Sequence, residues 1–238
     1  MPTTRAVLFD FGGTLYSYQT LERANRESLV ALARWAGSEA EENELVRAHR
    51  EALRRVFYDY LPRSFYLHHD LFHDAVVLMF EELGRPLEDA HVERYRSLLR
   101  ESQMRDLVLR ERTRETLDAL RERGLMVGIV SNIDEDQLAS LIQAGRLAGH
   151  LDWMLSSEKT GSCKPHPAIF EAALQRADCA PQEALFVGDT LKQDIAGANN
   201  AGMRSVLLWH RDDRPPPEGE PRPHHVIRRL PDLLDLVG

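Results

Sequence analysis

The stretch Arg5-Ala6-Val7-Leu8-Phe9-Asp10-Phe11-Gly12-Gly13-Thr14-Leu15 decides how the rest of the chain is read. Ala6 to Phe9 is a short continuous apolar run, the pattern of a strand buried on both faces. The run ends in Asp10, and Gly12-Gly13 lets the chain turn sharply behind it. In open parallel sheets, ligands gather beyond the carboxyl ends of the strands, so a carboxylate there is a candidate reactive group. A polar residue in a surface turn is the plainer reading of Asp10 taken alone. Three later stretches shift the balance.

From Thr113 onward helix and strand alternate. A helix over Thr113 to Arg123 stops at Gly124, and the buried strand Leu125 to Val130 ends in Ser131-Asn132. A helix from about Glu135 to Ala144 opens with acidic residues that suit its positive end. Trp153 to Leu155 makes a weaker strand, and His166 to Ala177 reads as a helix with Pro167 in its first turn. Ala184 to Val187 is a third strong strand, ending in Gly188-Asp189, and Ser205 to Trp209 is a further one. The Pro-rich stretch 211–223 reads as a surface loop. Val226-Ile227 and a short helix from Pro231 to Leu236 close the chain. Repeated strand–helix units imply a doubly wound parallel sheet with right-handed crossovers and helices on both faces. Three strand ends then bring Asp10, Ser131-Asn132 and Asp189 to one edge.

Between the first strand and this region the pattern is helical throughout. Leu21, Ala24, Ser28, Leu32 and Trp35 form one apolar stripe, and Leu45, Ala48, Ala52, Leu53, Val56 and Phe57 a second. Pro62 interrupts the chain before a more apolar segment from Leu71 to Leu83, and Val92, Tyr95, Leu98 and Leu99 carry a fourth. The expected organisation is an α/β core of residues 1–15 and 106–238, with an inserted α-helical bundle cap of residues 16–105.

The bulk numbers fit one core with one insert in 238 residues, 43% of them apolar and 29% charged. A net charge of −8 argues against a nucleic-acid surface and leaves room for a local basic pocket. No apolar run is long enough to span a bilayer, and Met1 leads directly into a strand without a signal peptide. Cys163 and Cys179 make no metal or redox spacing, so a cytoplasmic protein, monomer or homodimer, is expected.

Four motifs in chain order resemble those of the haloacid dehalogenase superfamily, most closely its phosphatase-type members with a helical cap after the first strand. They are Phe9 to Leu15, Val130-Ser131-Asn132, Ser162-Cys163-Lys164-Pro165-His166-Pro167, and Val187-Gly188-Asp189-Thr190-Leu191-Lys192-Gln193-Asp194. The resemblance implies a Rossmann-like core and a hydrolase acting on a small phosphorylated metabolite, with no nucleic-acid or membrane partner. Asp10 would attack phosphorus to form an aspartyl-phosphate, dividing one hard step into two. Two anions do not approach unaided, so Mg2+ is the implied cofactor. Its expected ligands are Asp10, Asp189, Asp194 and the backbone carbonyl of Gly12. Ser131 and the Asn132 amide suit phosphoryl oxygens, and Lys164 supplies fixed positive charge. Only Lys159, Lys164 and Lys192 are lysines, which makes Lys164 in a Lys-Pro context a pointed choice.

One position departs from the pattern. Phosphatases of this superfamily carry a second Asp two residues after the nucleophile, to protonate the leaving group and activate water, and this chain has Gly12. Losing such a group costs on the order of 10²–10⁴ in rate. A phosphonoacetaldehyde-cleaving relative would need a cap lysine, and no lysine precedes Lys159. Dehalogenases put a tyrosine where Gly12 stands and need no metal. A substitute proton donor from the cap is an open alternative, with His68, His69 and Tyr18 as candidates. His69 and His73 have a spacing that can bind zinc, although a solvated helix face is the commoner outcome. A catalytically weak relative that binds a phosphorylated ligand or a protein partner is the competing function.

Overall fold

The computed structural model describes residues 3–210, 214–216 and 219–237. Its sheet is built from β1 (Ala6–Phe9), β2 (Met126–Ser131), β3 (Trp153–Ser156), β4 (Ala184–Gly188), β5 (Arg204–Leu208) and β6 (His225–Ile227). All pairs are parallel, in the order β3-β2-β1-β4-β5-β6. β1 therefore lies between β2 and β4, with Phe9 opposite both Ile129 and Val187. That register sets Asp10 level with the ends of both neighbours.

Both faces of β1 are covered, which explains its unbroken apolar run. Val7 and Phe9 enter a core with Ile129, Val187, Leu120 and Leu138, while Ala6 and Leu8 enter another with Phe186, Ile169 and Phe170.

Four helices are inserted after β1: α1 (Glu22–Trp35), α2 (Glu42–Tyr60), α3 (His68–Glu82) and α4 (Asp89–Asp106). They share a separate core of Leu32, Leu45, Val76, Met79, Phe80 and Tyr95. The α/β region then carries α5 (Thr113–Glu122), α6 (Glu135–Ala144), the short α7 (Ser157–Thr160), α8 (Pro167–Ala177) and α9 (Ala196–Asn200). The closing segment is a run of 3-10 turns, Leu230–Asp235, and the Pro-rich stretch 211–223 falls in part outside the described residues.

The helical insert touches the α/β region in two ways. Its linkers cross-brace each other: the Arg110 N–H donates to the Leu15 carbonyl at 2.9 Å, and Tyr16 pairs with Leu109. Elsewhere a polar seam closes over the sheet edge. Arg100 pairs with Asp136 at 2.5 Å, Gln137 donates to Gln103 at 3.1 Å, and the Cys163 N–H donates to the Ser64 carbonyl at 2.8 Å. Cys163 packs with Val56, Tyr66 and Leu71, so it belongs to this seam and is more than a spacer before Lys164.

Candidate active site

The site is assembled where β1, β2 and β4 end. Asp10 is buried, with its N–H donated to the Val187 carbonyl at 2.8 Å. Its Oδ1 accepts from Lys164 Nζ at 2.7 Å and from Ser131 Oγ at 3.3 Å, and its Oδ2 accepts from Thr14 Oγ1 at 3.2 Å. Lys164, only 3% exposed, also donates to Asp194 Oδ1 at 2.7 Å. The second oxygen of Asp194 accepts from the N–H and the hydroxyl of Thr190, at 3.0 and 2.6 Å. One ammonium thus joins the nucleophile candidate to a carboxylate that is itself fully held.

Asn132 has a different task. Its Nδ2 donates to the Lys164 carbonyl at 3.0 Å, and its Oδ1 accepts the Lys164 N–H at 2.7 Å. The side chain grips the backbone that carries the lysine, which leaves one amide N–H and the main chain of Asn132 for a ligand.

Asp10, Asp189 and Asp194 each offer an oxygen within 4.8 Å of the others. Asp189 Oδ1 is buried and finds no hydrogen-bond partner among the described residues. A buried carboxylate oxygen without a donor is costly, and a hard cation bound by oxygen ligands would satisfy it. Two glycines make this crowding possible. Gly13 has φ +86°, and a Cβ there would lie 2.3 Å from Asp189 Oδ2. A Cβ at Gly188 would lie 2.3 Å from that of Asp194. The residues present fit a magnesium ion.

Electrostatics point the same way. Burial, reinforced by Asp194 and opposed by Lys164, raises the Asp10 pKa to about 6. Burial and the nearby Asp10 and Asp194 charges raise that of Asp189 to about 8. Burial works against the Lys164 charge, but Asp10 and Asp194 outweigh it and hold its pKa above the ordinary value. The three carboxylates carry more negative charge than one ammonium offsets.

The cap candidates separate clearly. His68 and His69 start α3, and the core residue Asp134 accepts both their N–H groups at 2.8 Å, as well as His69 Nδ1 at 3.1 Å. His69 is thereby committed. The His68 ring stacks on Tyr66 with centroids 5.3 Å apart, and its Nε2 is buried without a partner among the described residues. Burial, opposed by the Asp134 charge and aided by that of Lys164, lowers the His68 pKa to about 4, so the ring is neutral. Tyr18 lies nearest to Gly12: a Cβ built on Gly12 would be 2.3 Å from its hydroxyl oxygen and 3.1 Å from that of Tyr16.

Thr14, Thr190, Arg110 and Asp134 make contacts at the site that the sequence analysis did not assign. Thr14 and Thr190 each stand four residues from the aspartate they touch, a spacing visible in the chain. Arg110 donates twice to the Gly13 carbonyl, at 3.0 and 2.6 Å, across 97 positions. No local pattern announces that contact.

Residues 4–202 match the model of the haloacid dehalogenase-like hydrolases. A ribulose-1,5-bisphosphate 5-phosphatase from Halopiger xanaduensis is 30% identical, over 98% of this chain and 99% of that one. A glyceraldehyde 3-phosphate phosphatase from Methanopyrus kandleri is 33% identical, over 98% and 97%. A solved dehalogenase structure, 25% identical, superposes with a TM-score of 0.74 over 99% of this chain and 98% of its own. Among the described residues no helix is long and apolar enough to cross a membrane. The family match over residues 4–202, together with relatives 30% and 33% identical along nearly the whole chain, shows that this protein belongs to the haloacid dehalogenase-like hydrolases.

Proposed function

We propose that the protein is a magnesium-dependent phosphohydrolase that cleaves small phosphorylated metabolites through an aspartyl-phosphate on Asp10. The observation that carries this reading is the pair of 2.7 Å contacts from Lys164 to Asp10 and Asp194, with the partnerless Asp189 oxygen beside them. Asp10, Asp189, Asp194 and the Gly12 carbonyl are the groups that would hold the ion. When bound, it supplies positive charge that lets a carboxylate approach a phosphoryl group.

The residues divide the rest of the work. Asp10 supplies the attacking oxygen, fixed in direction by Thr14, Ser131 and Lys164. Lys164 neutralises charge on the transferring group, in a water-poor site where a preorganised cation acts strongly. The Ser131 hydroxyl, which donates to Asp10 here, would turn to the phosphoryl oxygens of a bound ester, Asn132 fixes the lysine, and Asp194 keeps the ammonium aimed. A scaffold that only bound a partner would have no need of this whole set.

The two phosphatase relatives are named for small phosphorylated metabolites, which supports that substrate class. Fold likeness to a dehalogenase does not decide the chemistry. The grouping of Asp189 and Asp194 with Asp10, with oxygens within 4.8 Å of one another, supports a metal-dependent reaction, because a cation offsets negative charge that Lys164 alone does not. Gly12 favours a second reading, a weak relative that only binds phosphorylated ligands.

A panel of phosphorylated metabolites, assayed with and without magnesium, tests the choice. Release of phosphate by the wild type, abolished by Asp10→Asn and by chelation, is expected. Trapping of a hydroxylamine-sensitive acyl phosphate would locate the intermediate. Ligand binding with no turnover of any ester would leave the binding-module reading in its place.

A further inference from the structure

We propose that the hydroxyl of Tyr18 takes the place of the side chain missing at Gly12, donating a hydrogen bond to the leaving-group oxygen of the ester. This rests on the phosphohydrolase reading above and names the residue that meets the departing group.

Occupancy is the first support. Heavy atoms do not approach within 3.0 Å of a real Cβ, yet a Cβ at Gly12 would lie 2.3 Å from Tyr18 Oη and 2.9 Å from Tyr18 Cζ. The phenol end already fills the volume in which a carboxylate at position 12 would begin. Gly12 is also not among the glycines with positive φ, whereas Gly13 is, at +86°. The turn therefore does not require glycine at position 12, whereas Tyr18, as placed, leaves no room for a Cβ there.

The two tyrosines there differ in access. Tyr16 is 5% exposed, its ring edge-on to Phe11 and Tyr18 with centroids 5.0 and 5.5 Å apart. It is the support. Tyr18 is 59% exposed as a residue, while its hydroxyl end lies deep, beside Gly12 and near Asp10 and Asp189, where the phosphoryl end of an ester would sit. It sits at the start of the 3-10 turn Tyr18–Leu21, whose cap, Ser17, accepts the Gln19 N–H at 3.3 Å.

The chemistry suits a donor. An ordinary phenol is protonated at neutral pH, and it can offer its O–H without giving the proton away. As the Asp10 oxygen–phosphorus bond forms, the phosphorus–oxygen bond to the leaving group breaks, and the electron pair stays on the leaving oxygen. Tyr18 stabilises that charge, and solvent water then supplies the proton. A second water attacks phosphorus, the bond to Asp10 breaks, and phosphate and a proton are released, balancing the first step. Removing one preorganised donor of this kind costs about 10²–10³ in kcat.

The test uses Tyr18→Phe, which keeps the ring and removes the donor, with Tyr16→Phe beside it. For alkyl phosphates, kcat should fall about 10²-fold in Tyr18→Phe with KM nearly unchanged; for aryl phosphates the fall should be under about threefold. Tyr16→Phe should shift both substrates little. A loss equal for alkyl and aryl esters, or no loss, overturns the assignment while an active, Asp10-dependent wild type leaves the phosphohydrolase reading intact. A wild type with no esterase activity overturns both. A second readout needs no turnover: Gly12→Asp should lower Tm, and Tyr18→Ala in the same chain should restore it. Additive Tm changes would show that the tyrosine does not occupy that space.

Discussion

The floor of the site and its mouth are built on different terms. On the floor, Asp10 accepts from three side chains, Lys164 is gripped fore and aft by Asn132, and Asp194 is saturated by Thr190 and the lysine. At the mouth, Tyr18 is largely exposed and His68 has a ring nitrogen without a partner among the described residues. The difference shows where the molecule can vary. The groups at the strand ends are held by several neighbours each, so a change there disturbs several contacts at once. Tyr18 and the His68 ring, on the insert, are held by ring packing, which tolerates more variation.

Breaking the floor should cost the most. Lys164→Met leaves Asp10 and Asp194 facing each other without a cation, and turnover should fall by at least about 10³-fold. Stability should fall by about 3–5 kcal/mol, as for a buried ion pair with one partner removed. The carboxylates can escape part of that by binding protons, so denaturant melts at pH 7 should show a larger loss than melts at pH 5. Equal losses would mean that the three charges are less coupled than their contacts indicate.

The contrast sharpens with pH. Asp10 and Asp189, with pKa values raised to about 6 and about 8, bind protons in the fold that the unfolded chain releases near pH 4. Stability from these groups is fully present below their unfolded values and is lost as pH rises through 6 and then 8. Magnesium must displace those protons, so its thermal stabilisation should grow from pH 5.5 to pH 8. Asp189→Asn should flatten both the metal-free decline and the gain. A magnesium shift that does not vary with pH would move the ion elsewhere.

A smaller effect is expected at the edge of the insert. Asp134→Ala removes the acceptor for the first N–H groups of α3, and should cost about 1–2 kcal/mol, as other helix caps do. Its kinetic mark should be a raised KM, with kcat for the best substrate reduced less. The least change is expected for Cys163→Ser, about 1 kcal/mol or less, because its sulfur contacts the Tyr66 carbonyl only at 3.6 Å. A loss of turnover in either variant as large as that of Lys164→Met would erase the distinction between floor and mouth.

The floor was also the legible part. The run Ala6–Phe9, the glycines behind it and the aspartates at strand ends all speak through local pattern, so sheet and insert could be read from sequence. The start of α3 could not: its apolar stripe begins at Leu71, but the helix begins at His68 because Asp134, far along the chain, accepts its first N–H groups. Arg110 and Cys163 were opaque for the same reason, since their partners are distant in sequence. Asn132 reads as a phosphate contact because an amide beside a serine at a strand end offers donors. Its second task, holding the backbone of Lys164, becomes visible only when β2 and the lysine loop meet.

One short loop carries a consequence of its own. Ser131, Asn132 and Asp134 are near-consecutive, and they reach the nucleophile, the backbone of the lysine and the first turn of α3, respectively. Whatever tightens one of these holds acts on a peptide shared by all three. If a ligand at Asp10 and Lys164 strengthens the hold of Asp134 on α3, linkage makes that hold strengthen the ligand's binding by the same factor. The two grips then become one thermodynamic quantity. A mutation in the first turn of α3 would register as altered ligand affinity, although it touches no atom of the ligand.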